Sequence, residues 1–307
     1  MPAPNPLLQI PLSPANRALL RAFERSLRAR RRSERTIQSY LETARILAGF
    51  LTPDGINLED AARADIERYL IDELDRNTPA AAGVRFRSLG PLYTWMVAEE
   101  YIDKSPMNGL SAPKGEGKLI PVLPDDALRK LVKACAGRDV YDRRDEAIIR
   151  LFIDTGIRVS EMVGLTIDDV DMDADEVTVR GKGDKQRRIP FGAKTGQAIE
   201  RYLRLRRQHP LAALPQMWVG NRGKSLTASG VTQMLERRAD VAKVGHVHPH
   251  MFRHTAASYA ADQGMNDDAM MRTFGWSTRE MLNRYGSAAA DERARRAQRR
   301  LSPGDRI

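Results

Sequence analysis

Glu176-Val-Thr-Val-Arg180 and Gln186-Arg-Arg-Ile-Pro-Phe191, separated by Gly181-Lys-Gly-Asp184, mark where the chain changes character. Their apolar residues alternate in twos, as half-buried strands require, and the glycine-containing turn between them predicts a β-hairpin. On either side, apolar residues recur every three or four positions. Downstream, that spacing predicts helices near 194–208, 228–243, 250–263, 266–274 and 278–285. Upstream, it predicts helices near 124–136 and 141–155.

Further upstream the chain reads as helices only. Ser13-Pro14 supplies an N-cap and a first-turn proline, followed by Leu19, Leu20, Phe23 and Leu27. A second helix starts after Ser33 and carries Ile37, Tyr40, Leu41, Ala44, Leu47 and Leu51. A third spans about Ala64 to Leu74. A fourth runs from Pro79 to about Glu100, with a break or kink expected at Gly90-Pro91. The expected fold is mainly α with a small β-sheet, a helical bundle followed by a mixed α/β domain. The expected boundaries are a loose N-terminus at 1–12, a bundle at 13–109 and a Pro/Gly/charge-rich linker at 110–120. A second domain follows at 121–290, then a basic tail at 291–307.

The composition narrows the partners. At about 150 residues per domain, 307 residues fit two domains. Fifty Lys and Arg against forty Asp and Glu leave a charge of +10, which favours a polyanion: nucleic acid or an anionic membrane surface. A merely soluble, Arg-rich protein has the same composition. No apolar run approaches about 18 residues, so no membrane span is expected. The single cysteine, Cys135, excludes an internal disulfide and a thiolate zinc site, and fits a reducing compartment. Residues Met1 to Pro6 lack a basic stretch followed by an apolar one, so no signal peptide is expected.

Four motifs carry chemistry. In Thr155-Gly-Ile-Arg-Val-Ser-Glu161, Arg158 opens a helix and presents a fork suited to phosphate oxygens, with Glu161 placed to orient it. A surface Arg–Glu pair is the plainer reading. Lys182, flanked by glycines at the hairpin tip, can deliver a proton to a leaving oxygen; a charged turn is the plainer reading. In Gly245-His-Val-His-Pro-His-Met-Phe-Arg-His254, four of the five histidines fall within nine residues. His250 and Arg253 share a helix face there. A metal site competes for that cluster, and His246, His248 and His254 read equally as DNA-facing or structural. Finally, Ser277-x-x-Glu280 predicts a capping box for a helix carrying Tyr285. A phenol with a pKa of about 10 attacks only where cations stabilise it, and a single Tyr is commonly a packed one.

Taken in order, Arg158, Lys182, His250-x-x-Arg253, Trp276 and Tyr285 resemble the tyrosine recombinases of the phage integrase and Xer type. The resemblance spans Ser13 to Tyr285. It makes the first domain a core-binding (SAM-like) DNA-binding unit, notably at Ser33-x-x-Thr36-x-x-x-Tyr40, and the second the catalytic domain. Trp276 falls where most members carry His and some Trp, nine residues before Tyr285.

The resemblance implies a site-specific DNA recombinase that cuts and rejoins duplex DNA through a 3′-phosphotyrosyl intermediate at Tyr285. Arg158 and Arg253 would hold the scissile phosphate, Lys182 protonate the leaving oxygen and His250 assist at the tyrosine. Trp276 would pack the site and donate to phosphate. No metal and no cofactor are implied. Double-stranded DNA is the expected partner, enclosed by two basic domains on a flexible linker. Arg28, Arg30, Arg31, Arg32 and Arg35 are candidate further contacts, and a solvated helix face is an equal reading of that basic run. A homotetramer on two sites is expected, with an accessory DNA-bending protein in some reactions and the tail on a neighbouring protomer. About a dozen residues precede the first helix, so no arm-binding domain is expected. The expected setting is the cytoplasm, with the nucleoid. The expected role is integration or excision of a phage or mobile element. Xer-type chromosome or plasmid dimer resolution, type IB topoisomerase-like relaxation and a non-catalytic DNA-binding regulator are the alternatives.

Overall fold

The computed structural model describes residues 11–115, 121–181, 185–220 and 223–282, with Arg295, Gln298 and Arg299. The chain divides into two compact units, 1–118 and 119–307. The architecture is mainly helical with one small sheet.

In the first unit, α1 (Pro14–Ala29) starts where the Ser13 hydroxyl accepts from the Asn16 N–H at 3.1 Å. Its buried stripe of Leu19, Leu20, Phe23 and Leu27 meets α2 (Glu34–Leu51), capped in the same way by Ser33. Asn16 is itself buried, and its side-chain oxygen accepts from the Leu58 N–H at 2.9 Å, which ties down the turn after α2. Helix α3 (Arg63–Arg76) and helix α4 (Pro79–Ala98) complete the bundle. Between them the fully buried Glu73 carboxylate takes the Arg85 guanidinium at 2.6 Å and the Asn77 amide at 3.0 Å.

Helix α4 is one element, running through Gly90-Pro91. Of the break or kink expected there, the break is absent. Proline costs a backbone bond there, but Phe86 and Leu89 before it and Leu92, Tyr93, Trp95 and Met96 after it all enter the same core. Burial on both sides outweighs the lost bond. The following stretch is laid along the bundle as far as it is described: Leu110 and Ala112 pack on the core. The Pro113 carbonyl passes so close to Gly83 that a Cβ there would sit 2.5 Å from its oxygen.

The second unit is built around α6 (Val140–Thr155), whose Ala147, Ile148, Ile149, Leu151 and Phe152 are inaccessible to solvent. It packs against α8 (Ala193–Arg206) and α10 (Pro249–Asp262). Helices α5 (Asp125–Lys133) and α9 (Ala228–Ala242) cover one side. The charged start of α6 is satisfied internally: Arg144 donates to Asp145 and the Val219 carbonyl, and Arg238 of α9 to Asp142 and Asp145.

The hairpin pairs β2 (Glu176–Arg180) with β3 (Gln186–Pro190), Val177 opposite Ile189 and Val179 opposite Arg187. A two-residue strand, β1 (Val170–Asp171), adds an antiparallel edge that sequence alternation was too short to signal. Two short helices, α7 (Val159–Gly164) and α11 (Asp267–Phe274), carry the surroundings of the site. No helix among the described residues is long and apolar enough to cross a membrane.

Candidate active site

The site begins where α6 stops. Gly156 caps α6 with a left-handed φ of +55°, which glycine adopts without steric cost. A Cβ at this position would lie 2.9 Å from the Phe274 ring and 3.0 Å from the Ala256 methyl, so the chain here touches α10 and α11 directly. Two residues on, Arg158 is the N-cap of α7. The Glu161 carboxylate reaches back to its N–H at 2.8 Å and takes its guanidinium at 2.9 Å. The Arg158 fork also donates to the Gly275 carbonyl at 3.0 Å and remains about one-third exposed (35%).

Arg253 projects inward from the first turns of α10 and is only 4% exposed. Its guanidinium donates to the Gly156 carbonyl at 2.9 Å and to the Phe274 carbonyl, and lies 5.5 and 5.6 Å from the ring centres of Phe274 and Trp276. Trp276 is buried and stacks on Phe274 at 5.0 Å. These rings belong to a separate apolar cluster with Ala256, Ala257, Met270 and Leu282.

A third arginine joins them. Arg187 of β3 donates through Nε to the Thr273 carbonyl at 2.9 Å, and through both terminal nitrogens to Glu161 at 2.9 Å each. The consecutive carbonyls of Thr273, Phe274 and Gly275 thus accept from Arg187, Arg253 and Arg158. Cations at the end of a helix are favoured by its dipole, and each bond satisfies a carbonyl that the helix leaves unpaired. Burial pushes the Glu161 carboxyl upward, but the Arg187 guanidinium and the Arg158 N–H outweigh it and hold it below the usual carboxylate range.

Sequence reasoning missed Arg187. The available signal was its register: it lies opposite Val179 and two residues from buried Ile189, on the inward face of β3. An arginine there needs a buried acceptor.

His250 sits exposed on the first turn of α10, with Pro249 at the helix start. Its ring centre is 6.3 Å from that of His248, which is 5.6 Å from His246. Burial, and then the neighbouring imidazoles, hold His248 below the ordinary histidine value. Among the described residues no group of three or more His, Cys, Asp or Glu side chains is arranged to hold a metal ion.

The structure brings Arg158, Arg253 and Trp276 together, with His250 on the helix of Arg253. Lys182 and Tyr285 lie outside the described residues, as does most of 291–307. The hairpin on either side of Lys182 is placed, closed by a Gly181 N–H to Lys185 carbonyl bond of 2.8 Å. Toward Tyr285 the chain is helical at 280–282, where Met281 and Leu282 donate to Thr278 and Arg279. Of the expected DNA contacts, Arg28 is held by Glu24 and Glu34 at 3.0 Å each, across the α1–α2 junction. Arg30, Arg31, Arg32 and Arg35 are exposed.

Residues 121–292 match the phage integrase family. Tyrosine recombinase XerC of Stutzerimonas stutzeri is 36% identical over 246 residues, 78% of each chain. Tyrosine recombinase XerC of Bacillus subtilis is 31% identical over 252 residues, 80% of this chain and 83% of that one. Among solved structures, the Tn1549 transposon integrase in complex with transposon right end DNA has the same fold. Its TM-score is 0.73, over 92% of this chain and 99% of that one, at 20% identity.

Proposed function

The chain belongs to the phage integrase family and is a tyrosine site-specific DNA recombinase, and we propose that it exchanges strands through a covalent link between Tyr285 and the 3′ side of a scissile phosphate. The convergence of Arg158 and Arg253 on the adjacent carbonyls of Gly275 and Phe274 carries this reading. It sets two permanent positive charges side by side, one of them open to solvent, where a phosphate can enter.

The reaction follows from those groups. The Tyr285 phenolic oxygen attacks phosphorus, and the bond from phosphorus to the 5′ oxygen breaks. Arg158 and Arg253 hold the non-bridging oxygens and offset the charge gathered on them in the transition state. Lys182 gives a proton to the leaving 5′ oxygen, and His250, exposed at the rim, takes part in proton transfer at the phenol. Trp276 packs beside Arg253 and fixes its plane. The phosphotyrosyl ester conserves the bond, so a 5′ hydroxyl from a partner duplex attacks it, restores the phosphodiester and frees Tyr285. Two duplexes need four such tyrosines, hence a homotetramer on two sites, with an accessory DNA-bending protein where a site is long.

Two settings suit this chemistry: integration or excision of a phage or mobile element, and Xer-type resolution of chromosome or plasmid dimers. Relatives at 36% and 31% identity carry the XerC name, which favours the second. Incubation with nicked suicide substrates tests the reaction. Wild-type protein is expected to become covalently attached to DNA and Tyr285→Phe not to. Sequencing the attached DNA identifies the site. Tight DNA binding with no adduct would leave only the DNA-binding regulator.

A further inference from the structure

We propose that Arg187, outside the set of residues that contact phosphate, is a positioning residue that keeps the Arg158 charge available to the scissile phosphate. The inference rests on the recombinase reading above and concerns how that site is aimed.

The argument is one of charge and of geometry. Glu161 is almost wholly buried, with 3% of its side chain exposed, and it binds Arg158 at 2.9 Å. An ion pair so close would by itself leave Arg158 neutralised and turned toward α7, poorly placed to serve an incoming phosphate. Arg187 alters both consequences. It covers the same carboxylate with two parallel bonds of 2.9 Å, so the three groups together carry one net positive charge. The exposed member of the three is Arg158, at 35% against 13% for Arg187. The net charge is therefore presented where phosphate arrives.

Arg187 also fixes what lies on the other side of Arg158. Its Nε holds the Thr273 carbonyl, two residues before the Gly275 carbonyl that Arg158 uses. Gly275 has a φ of +59°, and a Cβ on it would fall 3.0 Å from the Arg187 guanidinium. The turn that leads to Trp276 is thus shaped around this side chain. One residue on β3 ties together α7, the end of α11 and the second strand of the hairpin whose tip carries Lys182.

The test compares wild type, Arg187→Ala and Arg187→Lys in adduct formation on nicked DNA. Arg187→Ala is expected to slow adduct formation about 100-fold, the cost of misplacing a reacting group by about an ångström. Its DNA affinity is expected to stay near wild type. Arg187→Lys, which restores a charge beside Glu161 without the fork, is expected to fall between the two. On DNA with a neutral methylphosphonate at the scissile position, the Arg187→Ala deficit is expected to shrink by about tenfold, because one fewer oxygen charge needs an arginine. In the protein without DNA, backbone amides of 273–276 are expected to exchange faster in Arg187→Ala, while those of α6 do not.

Adduct formation by Arg187→Ala at the wild-type rate overturns the proposal, as does an equal deficit on charged and neutral linkages. Unchanged exchange at 273–276 overturns the part concerning the turn. Should wild type itself form no adduct, the recombinase chemistry fails, and the exchange measurement still decides whether Arg187 holds the turn.

Discussion

The guanidinium of Arg253 donates to the carbonyl of Gly156 at 2.9 Å, joining the helix that carries His250 to the turn that delivers Arg158. Ninety-seven residues separate the two in sequence. The bond exists because Gly156 turns its backbone left-handed at the end of α6 and has no side chain to keep α10 and α11 away.

Gly156→Ala is therefore expected to destabilise the second unit by on the order of 1–3 kcal/mol, the cost of a non-glycine residue at that φ. The new methyl would also press on the Phe274 ring at 2.9 Å. Thermal unfolding checks the stability. Adduct formation is expected to fall further than stability alone explains, since Arg158 and Arg253 both hang from this turn. A variant as stable and active as wild type would show that the close approach is dispensable.

In the first unit, Arg85→Ala leaves the Glu73 carboxylate buried without its cation. Breaking such a pair costs about 3 kcal/mol. The expectation is a clear drop in the unfolding midpoint of that unit, with a smaller drop for Arg85→Lys. Arg63→Ala serves as the contrast. Its partner Glu67 lies in an exposed i, i+4 pair, and the change is expected to cost under about 1 kcal/mol.

Glu146 gives the second unit an acid limit. Burial raises its carboxyl, but Arg150 and Arg201 outweigh burial and hold it below the usual carboxylate range. Arg143 also reaches it, at 3.2 Å. A carboxylate with a depressed folded value adds stability above its unfolded value. That stability disappears as pH falls through the folded one. Stability of the second unit is thus expected to decline below about pH 4.5. Glu146→Gln, followed by denaturant unfolding at pH 6 and pH 3.5, is expected to lose stability at the higher pH and to show a shallower decline. An unchanged pH profile would remove Glu146 from the account.

The basic run at the end of α1 separates into two kinds of arginine. The charge of Arg28 is already offset by Glu24 and Glu34, whereas Arg30, Arg31 and Arg32 are exposed. If these three meet phosphates, replacing them with Ala reduces the salt dependence of DNA binding by about 0.9 in logarithmic slope for each contact. Arg28→Ala is expected to leave that slope nearly unchanged and to loosen the α1–α2 junction. Affinity measured from 50 to 300 mM salt decides it, and equal slopes in all variants would place the DNA elsewhere.

The helices and the hairpin were legible because burial on one face imposes a period on the sequence, and Leu19 to Leu27 or Val177 to Ile189 display it openly. At Gly90-Pro91 the helix does not break. A local breaker signal says nothing about the shared core on both sides of it. Strand β1 has two residues and therefore no period to read. In the site, Arg158, Arg253 and Trp276 stand out by residue type and order. Arg187 does not, because a charged residue in a strand reads as solvent-facing until its partner is known. That partner, Glu161, is 26 residues earlier, on a different element.

Arg187, Arg253 and Arg158 are hydrogen-bonded to main-chain oxygens at 273, 274 and 275. An oxygen of the peptide unit is present whatever residue occupies the position. Mutational drift at Thr273 can thus proceed without cutting a mooring, provided the helix still ends and Gly275 still turns. The aim of the cationic groups is inherited from backbone shape, which changes more slowly than residue identity.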